Sequence, residues 1–359
     1  MDRVIDERLS QKLKAVSFLC AMLVVAIHCP LLNKREWIST PEYRASIPAI
    51  CSALHMVIDV FTRGAVPLFF AISGFLLAVK FHSDCSWYLG MLKKRVISLF
   101  VPFVLWNIIY LLVNVVVGRT QLCFDGAGIV EASRLILGWD FNSGVACFQL
   151  WFVRNLLVLI VMSPLLVLPL RKPVIGLSVL IVLAFLAAFN VWSPLIPYAS
   201  VLYFSIGLFC GINHNAWEVW LRRHCRTMWI GTGTMAVALI CIGCWVGYDG
   251  TRYEIYRTLI IPLSLGVMGV LWFGSDCLQR CLARFRNFFS LSFFIYAAHV
   301  LVVSFVSLVF GKCGLTGCSF IWLIGLLKIG LVIALTITLG LAFRRYSRRS
   351  FLILTGGRG

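Results

Sequence analysis

The sequence predicts an all-α, polytopic membrane protein with about ten transmembrane helices. Hydrophobic residues make up 61% of the chain and charged residues only 13%, which leaves too little polar surface for a soluble protein. Apolar stretches of roughly 18 to 25 residues match the length that a helix needs to cross a hydrocarbon core about 30 Å thick. Because lipid offers the backbone no hydrogen-bond partner, these stretches are predicted to be helices.

The number of predicted helices is even, so both ends of the chain fall on one side of the membrane. The tails and even-numbered connections hold about twenty-one of the 32 Lys and Arg residues, and the odd-numbered connections hold about nine. The positive-inside rule therefore predicts cytoplasmic termini. We expect one transmembrane domain over residues 1–359, with a short basic tail and no soluble domain. The predicted helices are 13–33, 50–80, 94–117, 149–170, 173–192, 197–213, 227–247, 257–274, 288–310 and 319–343.

The formal net charge of +18 raises the question of a nucleic-acid partner. The basic residues form short clusters beside apolar segments, so membrane topology explains them better and no nucleic-acid partner is expected. Most of the 14 Cys residues lie in apolar segments, where they pack as small hydrophobes. Cys241 and Cys244 have no further ligand nearby, and we expect no metal. Cys313 and Cys318 would pair if their connection faces an oxidising space.

The first predicted helix carries three polar candidates. His28 ends the run AVSFLCAMLVVAIHC, near the extracytoplasmic end. Ionisable groups inside a membrane commonly mark a site, and imidazole suits a general base. An interfacial histidine bonded to a neighbouring loop explains the position equally well. Lys14 and Ser17 project on nearly the same face, and Lys14 lies about 21 Å below His28. Lys14 is either a snorkelling anchor or a ligand contact.

The second predicted helix begins with three ionisable residues. His55, Asp59 and Arg63 are spaced four apart, which stacks them on one face of a helix. An ion pair between Asp59 and Arg63 would lower the cost of placing both near the outer surface. Such a pair is either structural or functional, and the sequence alone leaves both interpretations open.

The third predicted helix opens with Lys93, Lys94 and Arg95 and continues to Trp106 and Asn107. The basic run is either an ordinary positive-inside anchor or a cradle for an anionic cytoplasmic cofactor.

Two later helices also carry polar residues. Arg154, in LWFVRNLLVLIVMSPLL, is too far inside its helix for a simple anchor. Ser292, Tyr296 and His299 lie in the ninth predicted helix. Because two helical turns, roughly 10 Å, separate the serine from the histidine, we expect no local Ser–His dyad.

Five segments taken in order resemble the membrane-bound acyltransferase-3 family, over residues 11 to 310. They are KLKAVSFLCAMLVVAIHC, RGAVPLFFAISGFLLA, KKRVISLFVPFVLW, LWFVRNLLVLIVMSPLL and SFFIYAAHVL. The resemblance implies an integral-membrane O-acyltransferase of a bacterial inner membrane. Such a protein takes an acyl group, usually acetyl, from cytoplasmic acyl-CoA and passes it to a hydroxyl of an extracytoplasmic or lipid-linked envelope carbohydrate. The implied partners are this donor, a glycan or lipid-linked saccharide acceptor, and membrane lipids.

The resemblance also implies site residues. His28 falls on the histidine of helix 1 that the family is regarded as requiring. The position eleven residues earlier, often basic in the family, is Ser17 here, and Lys14 is the nearest basic residue on that face. Many members carry two arginines three apart at the start of helix 3, whereas here Arg95 is followed by Ser98. The expected cofactor-binding residues are Lys14, Ser17, Lys94, Arg95 and Ser98.

The chemistry that the resemblance proposes needs a deprotonated attacker and a stabilised oxyanion, without a metal. We expect His28 to deprotonate the acceptor hydroxyl or to carry the acyl group itself, and Arg63 or Arg154 to stabilise negative charge. The expected substrate-binding residues are His55, Asp59, Trp106, Asn107 and His299. Residues of the connection 118–148 are candidate sugar contacts or solvated loop residues, namely Asp125, Glu131, Trp139 and Asp140.

Two other functions share these sequence features. A secondary transporter or flippase of an anionic or sugar-linked substrate would also contain intramembrane charges and interrupted helices. A non-catalytic assembly partner in polysaccharide export is the third alternative. Acyl-CoA hydrolysis or exchange by the purified protein separates an acyltransferase from a transporter, which should show neither.

Overall fold

A computed structural model describes residues 7–29, 49–82, 84–120, 126–140, 144–193, 195–246, 250–277, 281, 283–315 and 321–358. Throughout these ranges the regular structure is helical. The helices are α1 Glu7–Ile27, α2 Ala49–Arg63, α3 Ala65–Val79, α4 Cys85–Arg95, α5 Val101–Val116, α6 Gly126–Leu137, α7 Trp151–Leu170, α8 Pro173–Ala188, α9 Tyr198–Ile212, α10 His214–Val246, α11 Gly250–Cys277, α12 Ser292–Lys312, α13 Ile321–Tyr346 and α14 Arg348–Leu354. A π-helical turn, Val96–Phe100, joins α4 to α5, and 3₁₀ turns precede α7 and α12 at Phe148–Leu150 and Arg286–Leu291.

The membrane-spanning character of these helices confirms the predicted fold class. Eight helical segments of the described chain are long and apolar enough to cross a bilayer, and α8 and α9 are shorter apolar helices. Together they agree with the prediction of about ten spans. The protein is therefore an all-α, polytopic membrane protein. The eight spans are Glu7–Ile27, Ala53–Val79, Cys85–Val116, Phe148–Leu170, Arg223–Trp245, Thr258–Asp276, Arg286–Lys312 and Leu323–Tyr346.

Several helix boundaries differ from the sequence prediction. The predicted helix 50–80 divides into α2 and α3 beside Gly64, where an added Cβ would lie only 2.7 Å from Val267 Cγ1. The helix that includes α5 starts earlier than predicted because the Asp84 carboxylate accepts a hydrogen bond from the Trp87 backbone N–H, 3.1 Å away, and caps α4. The connection 118–148, for which no helix was predicted, contains α6.

Close packing of α3 on α9 forms the centre of the helix bundle. A Cβ added at Gly207 would overlap the carbonyl oxygen of Ala71, and one added at Gly74 would overlap the carbonyl oxygen of Phe204. Glycine is therefore required at both positions for the two backbones to touch. Small residues at helix crossings are typical of membrane proteins, where close van der Waals packing drives association.

Helix α1 packs against α12, α3 and α2, and its inner face is buried at Val16, Ala21 and Val25. Lys12 lies on another side of α1, where its Nζ is 2.6 Å from Asp276 Oδ2 of α11 and 4.3 Å from the centre of the Trp272 ring. Because α1 runs alongside α12, His28, the residue that follows α1, lies beside α12.

The predicted pairing of Cys313 with Cys318 stays a prediction, since Cys318 lies outside the described residues.

Candidate active site

A pair of histidines forms the centre of the candidate site. His28 lies in the turn after α1, and its ring centre is 5.1 Å from that of His299 in α12, with the planes inclined by 32°. The ring of Phe148 meets His28 edge-on, with 5.2 Å between ring centres. His299 is fully buried and His28 is half-buried. The structure thus brings together two residues that the sequence analysis singled out separately.

The backbone of α12 determines which nitrogen of His299 carries a proton. Its Nδ1 lies 3.1 Å from the carbonyl oxygen of Ile295 and 2.8 Å from that of Tyr296. A carbonyl oxygen only accepts, so Nδ1 must donate, and a neutral ring then has an unprotonated Nε2. This Nε2 is buried and has no hydrogen-bond partner in the described structure. An unused acceptor atom therefore belongs to the ring that contacts His28.

A buried polar network lies beside the two histidines. The Gln149 side chain donates from Nε2 to the Tyr110 hydroxyl, 2.6 Å away, and to the Ala297 carbonyl oxygen, 2.8 Å away. The Tyr110 hydroxyl donates to the same carbonyl oxygen over 3.0 Å, and the Tyr296 hydroxyl donates to the Gln149 backbone carbonyl. Gln149 Oε1 is a second buried acceptor without a partner here. Two such atoms in one cluster call for a ligand that donates hydrogen bonds, such as a hydroxyl group.

Asn107 connects this network to the segment before α7. Its Nδ2 donates to the Phe103 carbonyl oxygen and its Oδ1 accepts from the Cys147 backbone N–H, each over 2.9 Å. Asn107 is fully buried. The amide of Asn107 therefore fixes the backbone two residues before Gln149.

The other predicted residues of the outer group are engaged with neighbours of their own. Asp59 Oδ2 accepts from Arg63 Nε over 2.6 Å, so the ion pair suggested by the sequence forms. His55 is buried on the same helix. Arg154 Nη1 donates to the Asp140 carbonyl oxygen over 3.3 Å, which directs this arginine to the segment after α6.

Three of the four candidate sugar contacts, Glu131, Trp139 and Asp140, lie on or after α6. Arg134 Nε donates to Glu131 over 2.7 Å, and this pairing lowers the pKa of the Glu131 carboxyl. The indole N–H of Trp139 donates to the Ser133 hydroxyl over 3.3 Å. Asp125 lies outside the described residues.

The predicted cofactor-binding residues lie apart from the histidines. Lys14 and Lys94 are exposed, whereas Ser17, Arg95 and Ser98 are half-buried. The indole N–H of Trp106 donates to the Leu354 carbonyl oxygen over 3.0 Å, so Trp106 contacts α14 rather than the histidine pair.

Comparison with known proteins decides the family. The family model described as an acyltransferase domain, acyltransferase-3, matches residues 13–345. The chain belongs to this family. It is a membrane acyltransferase, as the resemblance of the five segments implied. This acyltransferase is also 25% identical over 308 residues to the succinoglycan biosynthesis protein ExoH of Rhizobium meliloti (strain 1021), and the match covers 82% of this chain and 80% of ExoH. No solved structure matches the acyltransferase.

Sequence reasoning missed several polar residues of this acyltransferase. Gln149 stands alone in the apolar run CFQLWF, and Tyr110 occupies an apolar helix where an aromatic residue is ordinary. Only their mutual contacts, formed between α5, the 3₁₀ turn before α7, and α12, indicate that they belong to the site. A lone amide in an apolar run is the signal that was available.

Proposed function

We propose that this membrane acyltransferase is an O-acyltransferase of cell-envelope carbohydrate. It takes an acyl group from acyl-CoA and transfers it to a hydroxyl of an extracytoplasmic or lipid-linked saccharide. Acetyl is the proposed acyl group. The contact between His28 and His299, beside two buried acceptor atoms, is the observation that carries this proposal. The similarity to a succinoglycan biosynthesis protein supports a polysaccharide acceptor.

His28 is the proposed general base. As the acceptor hydroxyl gives its proton to His28, the hydroxyl oxygen bonds to the acyl carbonyl carbon and the carbon–sulfur bond breaks. The departing thiolate takes the proton back from the imidazolium, so the enzyme returns to its starting state. The ring of Phe148 covers one edge of the half-buried imidazole, and keeping water away from that edge would favour transfer to a sugar over hydrolysis.

His299 is proposed as a positioning residue. Because Nδ1 donates to backbone carbonyl oxygens, the unprotonated Nε2 of His299 can accept a hydrogen bond from a ring N–H of His28. That interaction would leave the second nitrogen of His28 unprotonated and directed at the acceptor hydroxyl. This division of roles resembles the general arrangement in which a base is itself oriented by a third group.

The donor is proposed to approach from the end of the bundle where Arg95 lies, opposite the end of α1 that carries His28. Acyl-CoA would supply an activated thioester carbonyl and several phosphate charges. Arg95 is half-buried, and among the described residues no carboxylate pairs with it, so it suits a phosphate. Lys14 and Lys94 are exposed and would contribute through charge. The cytoplasmic location of this end rests on the distribution of basic residues.

Arg63 and Arg154 are proposed to stabilise the oxyanion that develops on the acyl carbonyl. A guanidinium in a site that excludes water stabilises such charge strongly. The Arg63 guanidinium is already paired with Asp59, which reduces its share of this role. The acceptor is proposed to contact His55 and Asp59 of α2, whereas the fully buried Asn107 would act by holding the backbone that precedes Gln149.

Transfer of radiolabel tests the proposal. The purified full chain in nanodiscs is given acetyl-CoA labelled in the acyl group and a crude extract of envelope glycans, with other acyl-CoA donors in parallel. The wild type should move label to glycan, and His28→Ala should reduce the rate by at least about 100-fold because the general base is lost. His82→Ala is the matched control, since His82 is exposed and lies in the connection between α3 and α4.

The outcome separates the competing functions. Label in glycan with the wild type and His82→Ala, but not with His28→Ala, supports the O-acyltransferase and its base. Equal transfer by His28→Ala and wild type would remove His28 from the chemistry. Failure of the folded wild type to hydrolyse or transfer any acyl donor would contradict the proposed reaction.

A further inference from the structure

The segment after α14 folds back onto the start of the α5 helix. Arg358 Nη1 donates to the Ser98 carbonyl oxygen over 3.2 Å and to the Thr355 carbonyl oxygen over 3.0 Å. Gly356 has a φ of +63°, and an added Cβ would overlap the Ser98 carbonyl oxygen. Ser98 lies in the π-helical turn Val96–Phe100. Backbone contact therefore brings residues 355–358 to the basic end of α4.

This contact places the Arg358 guanidinium near that of Arg95. Burial first, and then the positive charge of Arg95, lower the pKa of Arg358 to about 10, so the Arg358 guanidinium stays protonated at neutral pH. The Arg358 guanidinium also lies 4.9 Å from the centre of the Phe293 ring. Within the described chain no carboxylate forms an ion pair with either arginine. Two neighbouring cations in a partly buried position raise the energy of the folded state unless an anion joins them.

The surroundings add further positive charge on the same side of the molecule. A cavity of about 480 Å³ lies between α13 and α14 and is lined by Arg344, Arg345 and Arg348 together with Phe351. Arginine binds phosphate oxygens through parallel N–H donors, which makes it the preferred residue for phosphate recognition.

We propose that Arg95 and Arg358 together bind a phosphate group, so that the segment after α14 completes the binding site. The proposal rests on the proposed function, which supplies the phosphates of acyl-CoA as the ligand. In this arrangement Arg358 provides the second guanidinium beside Arg95, where position 98 offers only a serine and its backbone carbonyl.

The position of the pair suits a donor that reaches the histidines. Phe293, which contacts Arg358, precedes His299 by six residues of helix, or about 9 Å of rise along α12. When the phosphates of the donor bind the arginine pair, its thioester end can therefore extend toward His28 and His299. An anionic lipid headgroup offers the same phosphate chemistry, and the experiment distinguishes the two sources.

Equilibrium binding of coenzyme A tests the site. The full chain is purified into phosphatidylcholine nanodiscs, and titration calorimetry compares the wild type with Arg358→Gln, Arg358→Lys and Arg95→Gln. We expect each Gln variant to weaken coenzyme A binding by about tenfold or more, because a charge-assisted contact is lost, and the Lys variant to bind at an intermediate level. Arg349→Gln is the matched control: Arg349 is an exposed arginine of α14 outside the cavity lining and should leave binding unchanged.

One further measurement identifies the source of the phosphate. Thermal unfolding in nanodiscs with and without phosphatidylglycerol, which also verifies that each variant is folded, reports a lipid headgroup on the pair.

Each outcome has a distinct meaning. Weaker coenzyme A binding by both Gln variants supports the site with acyl-CoA as its ligand. Unchanged coenzyme A binding, with stabilisation by phosphatidylglycerol in the wild type alone, supports a phosphate site occupied by lipid. If neither of these two effects is observed, the proposal is overturned. If the wild type binds no coenzyme A, the donor of the proposed function is contradicted, and the phosphatidylglycerol comparison alone decides the site.

Discussion

His299 illustrates how a single helix turn can set the chemistry of a side chain. Its Nδ1 lies against the carbonyl oxygens of Ile295 and Tyr296, which belong to the preceding turn of α12. Because those oxygens cannot donate, the proton of the neutral ring is placed on Nδ1 and the acceptor on Nε2. A buried acceptor without a partner is costly, so the ring is poised for a proton donor.

Substitution of His299 tests this positioning role. His299→Phe removes the acceptor and should lower kcat by about 10- to 100-fold, while KM for acyl-CoA stays near the wild-type value. His299→Gln keeps an acceptor oxygen of similar reach and should recover part of the lost rate. Steady-state kinetics of both variants, with thermal unfolding as the measure of folding, provides the comparison. Equal losses in the two variants would assign His299 to packing alone.

Some residues of the candidate site can be recognised in the sequence, and others cannot. His28 and His299 each stand out because an ionisable group in an apolar run is rare. Their contact joins α1 to α12 across most of the chain, and no local periodicity encodes it. In the sequence Arg358 is one residue of a basic tail, and nothing there predicts that the segment after α14 returns to Ser98.

At the scale of helices, glycine decides the centre of the bundle. Gly207 should not tolerate a methyl group, since the added Cβ would overlap the Ala71 carbonyl oxygen of α3. We expect Gly207→Ala to reduce the free energy of unfolding by about 1–3 kcal/mol, as overpacking does in well-packed interiors. Thermal unfolding in one detergent measures this loss.

Gly231→Ala is the control for that substitution. Gly231 also lies within a helix, α10, but an added Cβ meets no atom within 4 Å. Alanine should leave stability unchanged or raise it by about 0.5–1 kcal/mol through helix propensity. A loss at Gly231 equal to that at Gly207 would show that steric overlap is not the cause.

The membrane helices could be predicted because long apolar runs are a strong signal. The interruptions within them could not be predicted from the sequence. The break at Gly64 lies against Val267 of α11, a neighbour about 200 residues away in the sequence, and the π-helical turn Val96–Phe100 lies in a largely apolar run. Neither position carries a local pattern that predicts an interruption. The helix α6 escaped prediction because its short, weakly apolar sequence resembles a loop.

At the scale of the whole molecule, the membrane orientation remains a prediction with a direct test. Two native cysteines are exposed on opposite predicted sides: Cys85 at the start of α4 and Cys313 at the end of α12. The positive-inside rule places Cys85 in the cytoplasm and Cys313 outside. A membrane-impermeant thiol reagent should therefore label Cys313 in intact spheroplasts and Cys85 only in inverted vesicles.

Peptide mass analysis identifies which cysteine carries the label, and permeabilised membranes serve as the control in which both should react. If Cys313 in intact spheroplasts is labelled neither before nor after reduction, the predicted orientation is contradicted. Labelling only after reduction would instead indicate that the thiol is oxidised on the outer side.

The glycine contact between α3 and α9 has a consequence for how the protein moves. Backbones that touch without intervening side chains leave no space for sliding, and packed helix interfaces change between discrete arrangements rather than deforming smoothly. We therefore expect the two helices to move as one rigid unit during turnover. Entry of the proposed saccharide acceptor would then require relative motion of elements around that unit, so the slowest step of the cycle need not be the chemical one.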